Sequence, residues 1–246
     1  MNHIRDYLQT QALTALNAQD IALSRLATQT VIANARAHIE PQLLQHPQLP
    51  EYLAGNTAAL ARLFMALDAA YSRHPVQSAT LYALLPKDAQ LIRLAHMGAA
   101  TENLLLVGDE NAWHYLAVRT AQSGWANIAD HIARWLETGE LRGSHNQRAA
   151  CQTSLPVCGE DGAVYGVLHL EHAQKLSDDE LAAWVGLALG VLPALLAGIS
   201  QASQVLVQDS QTVPLDRFLF NEAYLMHTST SPQYSIIASC DVAAAM

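Results

Sequence analysis

Leu60, Leu63, Phe64, Leu67 and Tyr71 recur at helical spacing, so the stretch from about Thr57 to Tyr71 is predicted to be a helix with one buried face. His74-Pro75 ends it, because a residue before proline avoids helical backbone. Upstream, residues 4–39 contain no Gly or Pro and are rich in Ala, Leu and Gln, which predicts one long helical stretch. Its apolar positions, Ile4, Leu8, Leu13, Leu16, Leu23 and Leu26, keep no clean heptad. Pairing with another helix is therefore expected, but not a regular coiled coil. Pro41, Pro47 and Pro50 then mark a connection.

Beyond residue 77 the pattern shortens. Ser78–Leu85 and Gln90–Met97 read as two strands joined by the turn Pro86-Lys87-Asp88-Ala89. Leu104–Asp109 follows, then a helix over 111–122 that Gly124 stops, a short strand from Trp125 to Ile128, and a short helix starting at Asp130. A polar loop covers 138–149. Ala150–Cys158 and Ala163–Glu171 form the clearest hairpin, around the Asp-Gly signal in Gly159-Glu160-Asp161-Gly162. Ser177-Asp178-Asp179-Glu180 is a capping box, and it opens an apolar helix running to about Ser203, which Pro193 is expected to kink. In the last forty residues Pro214–Phe220 has a short apolar patch, Thr228–Pro232 is a polar breaker, and Ile236-Ile237 suits a strand.

Composition narrows the class of protein. Of 246 residues 51% are hydrophobic and 14% charged, and the formal net charge is −9 with only two lysines. No basic stripe exists to neutralise phosphates, so no nucleic-acid partner is expected. Three cysteines, Cys151, Cys158 and Cys240, fit a reducing, cytoplasmic setting better than a disulfide framework, and the N-terminus lacks the apolar core of a signal peptide. Leu181–Ile199 is uncharged and approaches the ~20 residues that span a bilayer. It is also rich in Ala and Gly, contains Pro193 and has no flanking positive cluster, so a buried helix is expected in place of membrane insertion.

Three stretches in order carry a family likeness. They are Ser78–Leu85 with its return strand; Ala121-Gln122-Ser123-Gly124-Trp125-Ala126-Asn127-Ile128-Ala129-Asp130; and Ser154-Leu155-Pro156-Val157 followed by Val164–Glu171 and Leu176–Glu180. Across residues 55–202 the chain resembles a GAF domain. The resemblance implies an α/β (α+β) fold: an antiparallel sheet with helices packed on one face and a small-molecule pocket on the other. Residues 1–54 then form an N-terminal helical extension and 203–246 a C-terminal tail. The resemblance also implies dimerisation through the first and last helices.

Strand alternation divides the residues between faces. A loop at 159–162 sets Cys158 opposite Ala163. It places Cys151, Thr153, Leu155, Val157, Val164, Gly166, Leu168 and Leu170 on an apolar face, and Gln152, Ser154, Pro156, Tyr165, Val167, His169 and Glu171 on a mixed one. In the first hairpin Thr80, Tyr82 and Arg93 share the face that would look toward a pocket. The candidate ligand-binding residues are therefore Thr80, Tyr82, Arg93, Asp130, Gln152, Ser154, Tyr165, His169 and Glu171. Arg93 suits an anion and the His169/Glu171 pair a cation or polar group. For each, an ordinary structural role competes: a surface arginine, a hydrogen-bonded sheet pair, and a helix N-cap for Asp130.

Catalytic chemistry finds little support. One GAF branch reduces free methionine sulfoxide with cysteines, but residues 138–149 hold none. Cys151 lies on the apolar face, and Cys151 and Cys158 lie roughly 23 Å apart along one strand at ~3.3 Å per residue. No metal-ligand spacing, phosphate loop or nucleophile elbow is present. The sequence thus predicts a non-enzymatic regulatory protein with a GAF-type sensor domain, no cofactor, and a signal passed to a partner protein. The alternative is an adaptor or dimerisation module whose pocket is filled by side chains. A homodimer is expected in either case, because the helices at 4–39 and 181–202 carry more apolar surface than one sheet can cover.

Overall fold

The structure, a computed structural model, describes residues 3–34, 36, 39–159 and 161–207. Pro214–Phe220, Thr228–Pro232, Ile236-Ile237 and Cys240, for which the sequence sets expectations, lie outside the described residues. Helices α1 (His3–Ala12) and α2 (Ala18–Asn34) are followed by two single-turn helices, α3 (Pro41–Leu44) and α4 (Glu51–Ala54), and by α5 (Thr57–Arg73). Strands β1 (Ser78–Leu85), β2 (Gln90–Gly98) and β3 (Leu104–Leu106) lead to α6 (Leu116–Ser123), β4 (Asn127–Ala129) and α7 (Ile132–Glu137). Strands β5 (Cys151–Cys158) and β6 (Val164–His172) and helix α8 (Asp178–Val207) complete the order.

The six strands form one antiparallel sheet in the order β3-β2-β1-β6-β5-β4. This is the expected α+β architecture. Leu81, Ala83, Leu155, Leu168 and Leu170 bury one face beneath α2, α5 and α8. The other face is also covered: Tyr82, Leu91 and Val167 pack against Ala117, Val118 and Ala121 of α6.

The expected single helix over 4–39 is broken. A 3-10 turn at Leu13–Ala15 gives way to extended backbone at Leu16, and the Asn17 side chain then accepts from the Gln19 N–H at 3.0 Å, restarting the helix as an N-cap. The two pieces diverge: α2 packs on α8 and α5, while α1 crosses the β4 edge of the sheet. The predicted helix over 111–122 is likewise split into a 3-10 turn at Asn111–Trp113 and α6, with extended backbone at Tyr115 between them.

The capping box forms as read, with Ser177 N–H donating to Glu180 Oε2 at 2.8 Å and Glu180 N–H to Ser177 Oγ at 3.3 Å. Helix α8 continues through Pro193 to Val207. By length and composition Asp178–Ile199 is able to cross a membrane, yet 61% of its most apolar window is buried inside the fold. The reason is a close approach of two backbones. A Cβ on Gly186 would meet Ser24 Cβ at 2.5 Å, and one on Gly190 would meet Thr28 Cγ2 at 2.6 Å. The Ser24 hydroxyl also donates to the Ala183 carbonyl at 2.7 Å.

Candidate functional site

Two irregularities in the ladders decide which side chains meet. In the first hairpin the register shifts between Leu81 and Tyr82, so His96 stands opposite Thr80. Simple alternation from Ile92 would have sent His96 to the helix-packed face; the bulge turns it to the mixed face. In the second hairpin a bulge lies between Val157 and Cys158, and Cys158 pairs with Val164, not Ala163. Further in, Ser154 pairs with His169 and Gln152 with Glu171, two positions from the expected register, which keeps both faces as predicted. Tyr165 is the residue displaced by this bulge. It packs against the helix-covered core, so its expected place on the mixed face is corrected.

The result is a row of polar side chains across five strands: His96 (β2), Thr80 (β1), His169 (β6), Ser154 (β5) and Asn127 (β4). Thr80 Oγ1 lies 2.9 Å from both His96 Nδ1 and Thr101 Oγ1, and Ser154 Oγ lies 2.7 Å from His169 Nδ1. Asn127 Nδ2 donates to Thr120 Oγ1 of α6 at 2.9 Å. A second row, Ser78, Glu171 and Gln152, runs beside it. The Ser78 hydroxyl donates to Glu171 Oε2 at 2.9 Å.

Arg148 closes one end. Its Nε donates to Glu171 Oε1 at 2.6 Å, while its two terminal nitrogens donate to the two Glu102 oxygens at 3.0 and 2.9 Å. Glu171 is buried, whereas Arg148 and Glu102 keep about a third of their side-chain surface in water. The guanidinium therefore ties the loop before β3 to the segment before β5, directly over a sheet carboxylate. Burial alone would raise the Glu171 pKa, but His169 and Arg148 outweigh it and hold it at about 2. Glu102 is lowered too: burial opposes the shift, and Arg148 overrides it. Both carboxylates are thus ionised. Burial drives the Tyr82 hydroxyl well above its ordinary range, and that hydroxyl donates to the Glu102 carbonyl at 2.9 Å.

Of the candidate residues, Thr80, Tyr82, Gln152, Ser154, His169 and Glu171 come together on this face and are buried. Arg93 joins its rim, donating to the Thr101 carbonyl at 3.2 Å. Asp130 does not join: its carboxylate lies 3.4 Å from Lys175 Nζ. Nor is it an N-cap, since α7 begins at Ile132 with His131 in the capping position and no side-chain cap bond. Sequence reading missed His96, Thr101, Glu102, Asn127 and Arg148. His96 depends on a bulge, and the others reach the face from loops or from the edge strand. Cys151, expected to be inert, is buried, donates to the Asp130 carbonyl at 2.9 Å, and has its thiol pKa raised by burial and by Asp130. Among the described residues no group of three potential metal ligands is assembled.

Away from this face the described residues line two cavities. One is an open cleft of about 390 Å³ along α1, lined by Ile4, Arg5, Leu8, Gln9 and Ala12. The other is a small apolar gap between α5, β2 and α8 near Leu60, Leu94 and Leu195.

Comparison with solved structures defines the class as a GAF-like fold. The GAF domain of an Acinetobacter phosphoenolpyruvate-protein phosphotransferase superposes with a TM-score of 0.52 at 12% identity, covering 72% of this chain and 93% of that one. The corresponding GAF domain from Coxiella burnetii gives 0.51 at 12% identity, covering 74% and 98%. A different likeness occupies the C-terminal part. The profile of the Orn/Lys/Arg decarboxylase major domain matches residues 171–246. Lysine decarboxylase LdcA of Pseudomonas aeruginosa is 64% identical over 52 residues, 21% of this chain, and the inducible lysine decarboxylase of Escherichia coli is 52% identical over the same length. The chain spans only 7% of the length of these curated relatives.

Proposed function

We propose that the chain is a non-enzymatic, cytoplasmic regulatory protein in which the GAF-like domain senses a small molecule at the polar face and signals to a partner protein. The observation that carries this reading is the Arg148 bridge. Two segments at the rim of the polar rows are joined by one partly exposed guanidinium, which also holds buried, ionised Glu171. Native mass spectrometry of the purified protein tests it. A discrete non-covalent mass, lost in an Arg148→Ala variant, is expected; a bare polypeptide under every condition counts against it.

The adaptor reading rests on a specific observation as well: neither cavity is lined by the polar rows, whose side chains largely satisfy one another. In that case the fold supplies a docking surface only. Under both readings the exposed leucines and isoleucine of α1 and α2, Ile4, Leu8, Leu23 and Leu26, are proposed as a homodimer contact. Replacing Leu23 and Leu26 by Asp is expected to give a monomer in sedimentation analysis.

The regulated process proposed is basic amino-acid decarboxylation, supported by the match that begins at Glu171 and continues through α8. Decarboxylation by this chain itself is not proposed. Adding the protein to a lysine decarboxylase and following carbon dioxide release is the direct check, and an unchanged rate removes this assignment.

A further inference from the structure

Two amide side chains beneath the polar face each carry a buried oxygen that accepts nothing: Asn127 Oδ1 and Gln152 Oε1. Both residues are at most 1% exposed. Their orientations are set by neighbours. Asn146 Nδ2 donates to the His114 and Arg142 carbonyls, so Asn146 Oδ1 is an acceptor, and Gln152 must turn its nitrogen toward it at 3.1 Å. Gln152 Oε1 is left over. Asn127 Nδ2 likewise donates to the Trp125 carbonyl at 3.1 Å, which leaves Oδ1 over. An unmet buried acceptor costs about 1–3 kcal/mol, so a donor is called for at each.

A hydroxyl stands beside both. Ser154 is directly opposite Asn127 across the β4–β5 ladder, and Gln152 lies two residues along β5 on the same face. The Ser154 hydroxyl, which can both donate and accept, lies 2.7 Å from His169 Nδ1, and His169 Nε2 lies 3.9 Å from ionised Glu171. Two buried oxygens thus lack a donor, a hydroxyl stands beside both, and Glu171, paired with Gln152 across β5–β6, adds negative charge at one side. A water supplies two donors; a primary ammonium supplies three and a positive charge.

We propose that Asn127, Ser154 and Gln152 form the seat for the ammonium group of a small primary amine, which enters past Gln152 and Glu171 when Arg148 releases Glu102. This rests on the sensor reading above and names the chemistry of its ligand. Glu102 is the group that gives way, because its carboxylate is partly hydrated already whereas Glu171 is buried.

The experiment uses the full chain with 1,5-diaminopentane and its bis(trimethylammonium) analogue, which keeps the charge and has no N–H donors. Titration is followed by calorimetry and by the side-chain amide signals of Asn127 and Gln152 in nitrogen–proton correlation spectra. Saturable binding of the primary amine that moves both amides, with at least tenfold weaker binding of the quaternary analogue, is the expected result. Gln152→Leu is expected to weaken binding at least tenfold, and Gln152→Glu, which keeps an acceptor and adds charge, to strengthen it. Equal binding of the two compounds, or wild-type affinity in Gln152→Leu, overturns the proposal. So does a buried water only, revealed when no amine moves either amide signal. A different molecule that moves these signals overturns the amine assignment and leaves the sensor reading standing; if no small molecule moves them, both fall.

Discussion

Arg119 donates through Nε to Asp6 Oδ2 at 2.9 Å and through a terminal nitrogen to Oδ1 at 2.5 Å, with neither side chain more than 1% exposed. This bidentate pair joins α1 to α6 across the β4 edge. Around it Gln9 exchanges hydrogen bonds with both backbone groups of Ile128, Thr10 accepts from the Ala126 N–H, and Arg5 pairs with Glu140. The Gln9 amide thereby occupies the place a further strand would take, and α1 turns polar residues inward and Ile4 and Leu8 outward. Asp6→Ala leaves a buried guanidinium unpaired and is expected to cost about 3–5 kcal/mol. Urea unfolding measures it, and the double variant Asp6→Leu/Arg119→Met is expected to recover most of the loss.

The contact between α2 and α8 makes a second prediction. Gly190→Val brings side-chain carbon to 2.6 Å from Thr28 Cγ2 and 3.1 Å from the Arg25 carbonyl oxygen, inside van der Waals contact. Overpacking of this kind costs about 1–3 kcal/mol. Gly108→Ala, where an added Cβ meets nothing within 4 Å, is the matched control and is expected to leave the thermal midpoint unchanged.

Acid is expected to weaken the fold in two stages. Burial lowers the pKa of His96, with Arg93 adding to it, and burial likewise lowers His172. Each is neutral in the folded state, so the stability it contributes is present above its ordinary 6.5 and is lost as pH falls through the lowered folded value. Glu171 and Glu102 follow. Their stabilisation is present above 4.5 and is lost as pH falls further, toward about 2 for Glu171. Thermal midpoints across pH 7 to 3 report both stages, and His172→Gln is expected to flatten the first.

Arg148→Gln removes the bridge over the polar rows. Faster amide exchange in residues 99–103 and 143–148 is expected, with the sheet amides of β6 unaffected. Loss of protection throughout the domain would mean that Arg148 holds the fold together and does not merely close one face.

The alternation of β1, β5 and β6 was legible because each strand has one largely apolar side. Leu155, Val157, Leu168 and Leu170 left no doubt about which face meets the helices. The capping box at Ser177 was legible because it is a local exchange between residues three apart. What escaped depends on contacts far apart in sequence. Arg148 and Glu102 are 46 residues apart, and Asp6 and Arg119 are 113 apart, so no local pattern pairs them. The bulges at Leu81/Tyr82 and Val157/Cys158 are set by the ladders as a whole, and they decided the fates of His96 and Tyr165. The break at Leu16 was hidden because Ala, Leu and Gln favour helix on both sides of it, and a single asparagine cap was enough to redirect the chain.

Helix α8 has thirty residues and therefore a length of about 45 Å. Its first half is clamped so closely to α2 that backbone meets side chain without a Cβ between them at Gly186 and Gly190. Such a clamp allows little bending and little sliding; it permits the helix to tilt as a stiff lever about its held end. Val207 lies about 25 Å beyond Gly190, so a tilt of a few degrees there becomes a displacement of about 2 Å at its end. Of the stretch that matches the decarboxylase profile, residues 171–207 thus begin in the strand that carries Glu171 and run on into this lever.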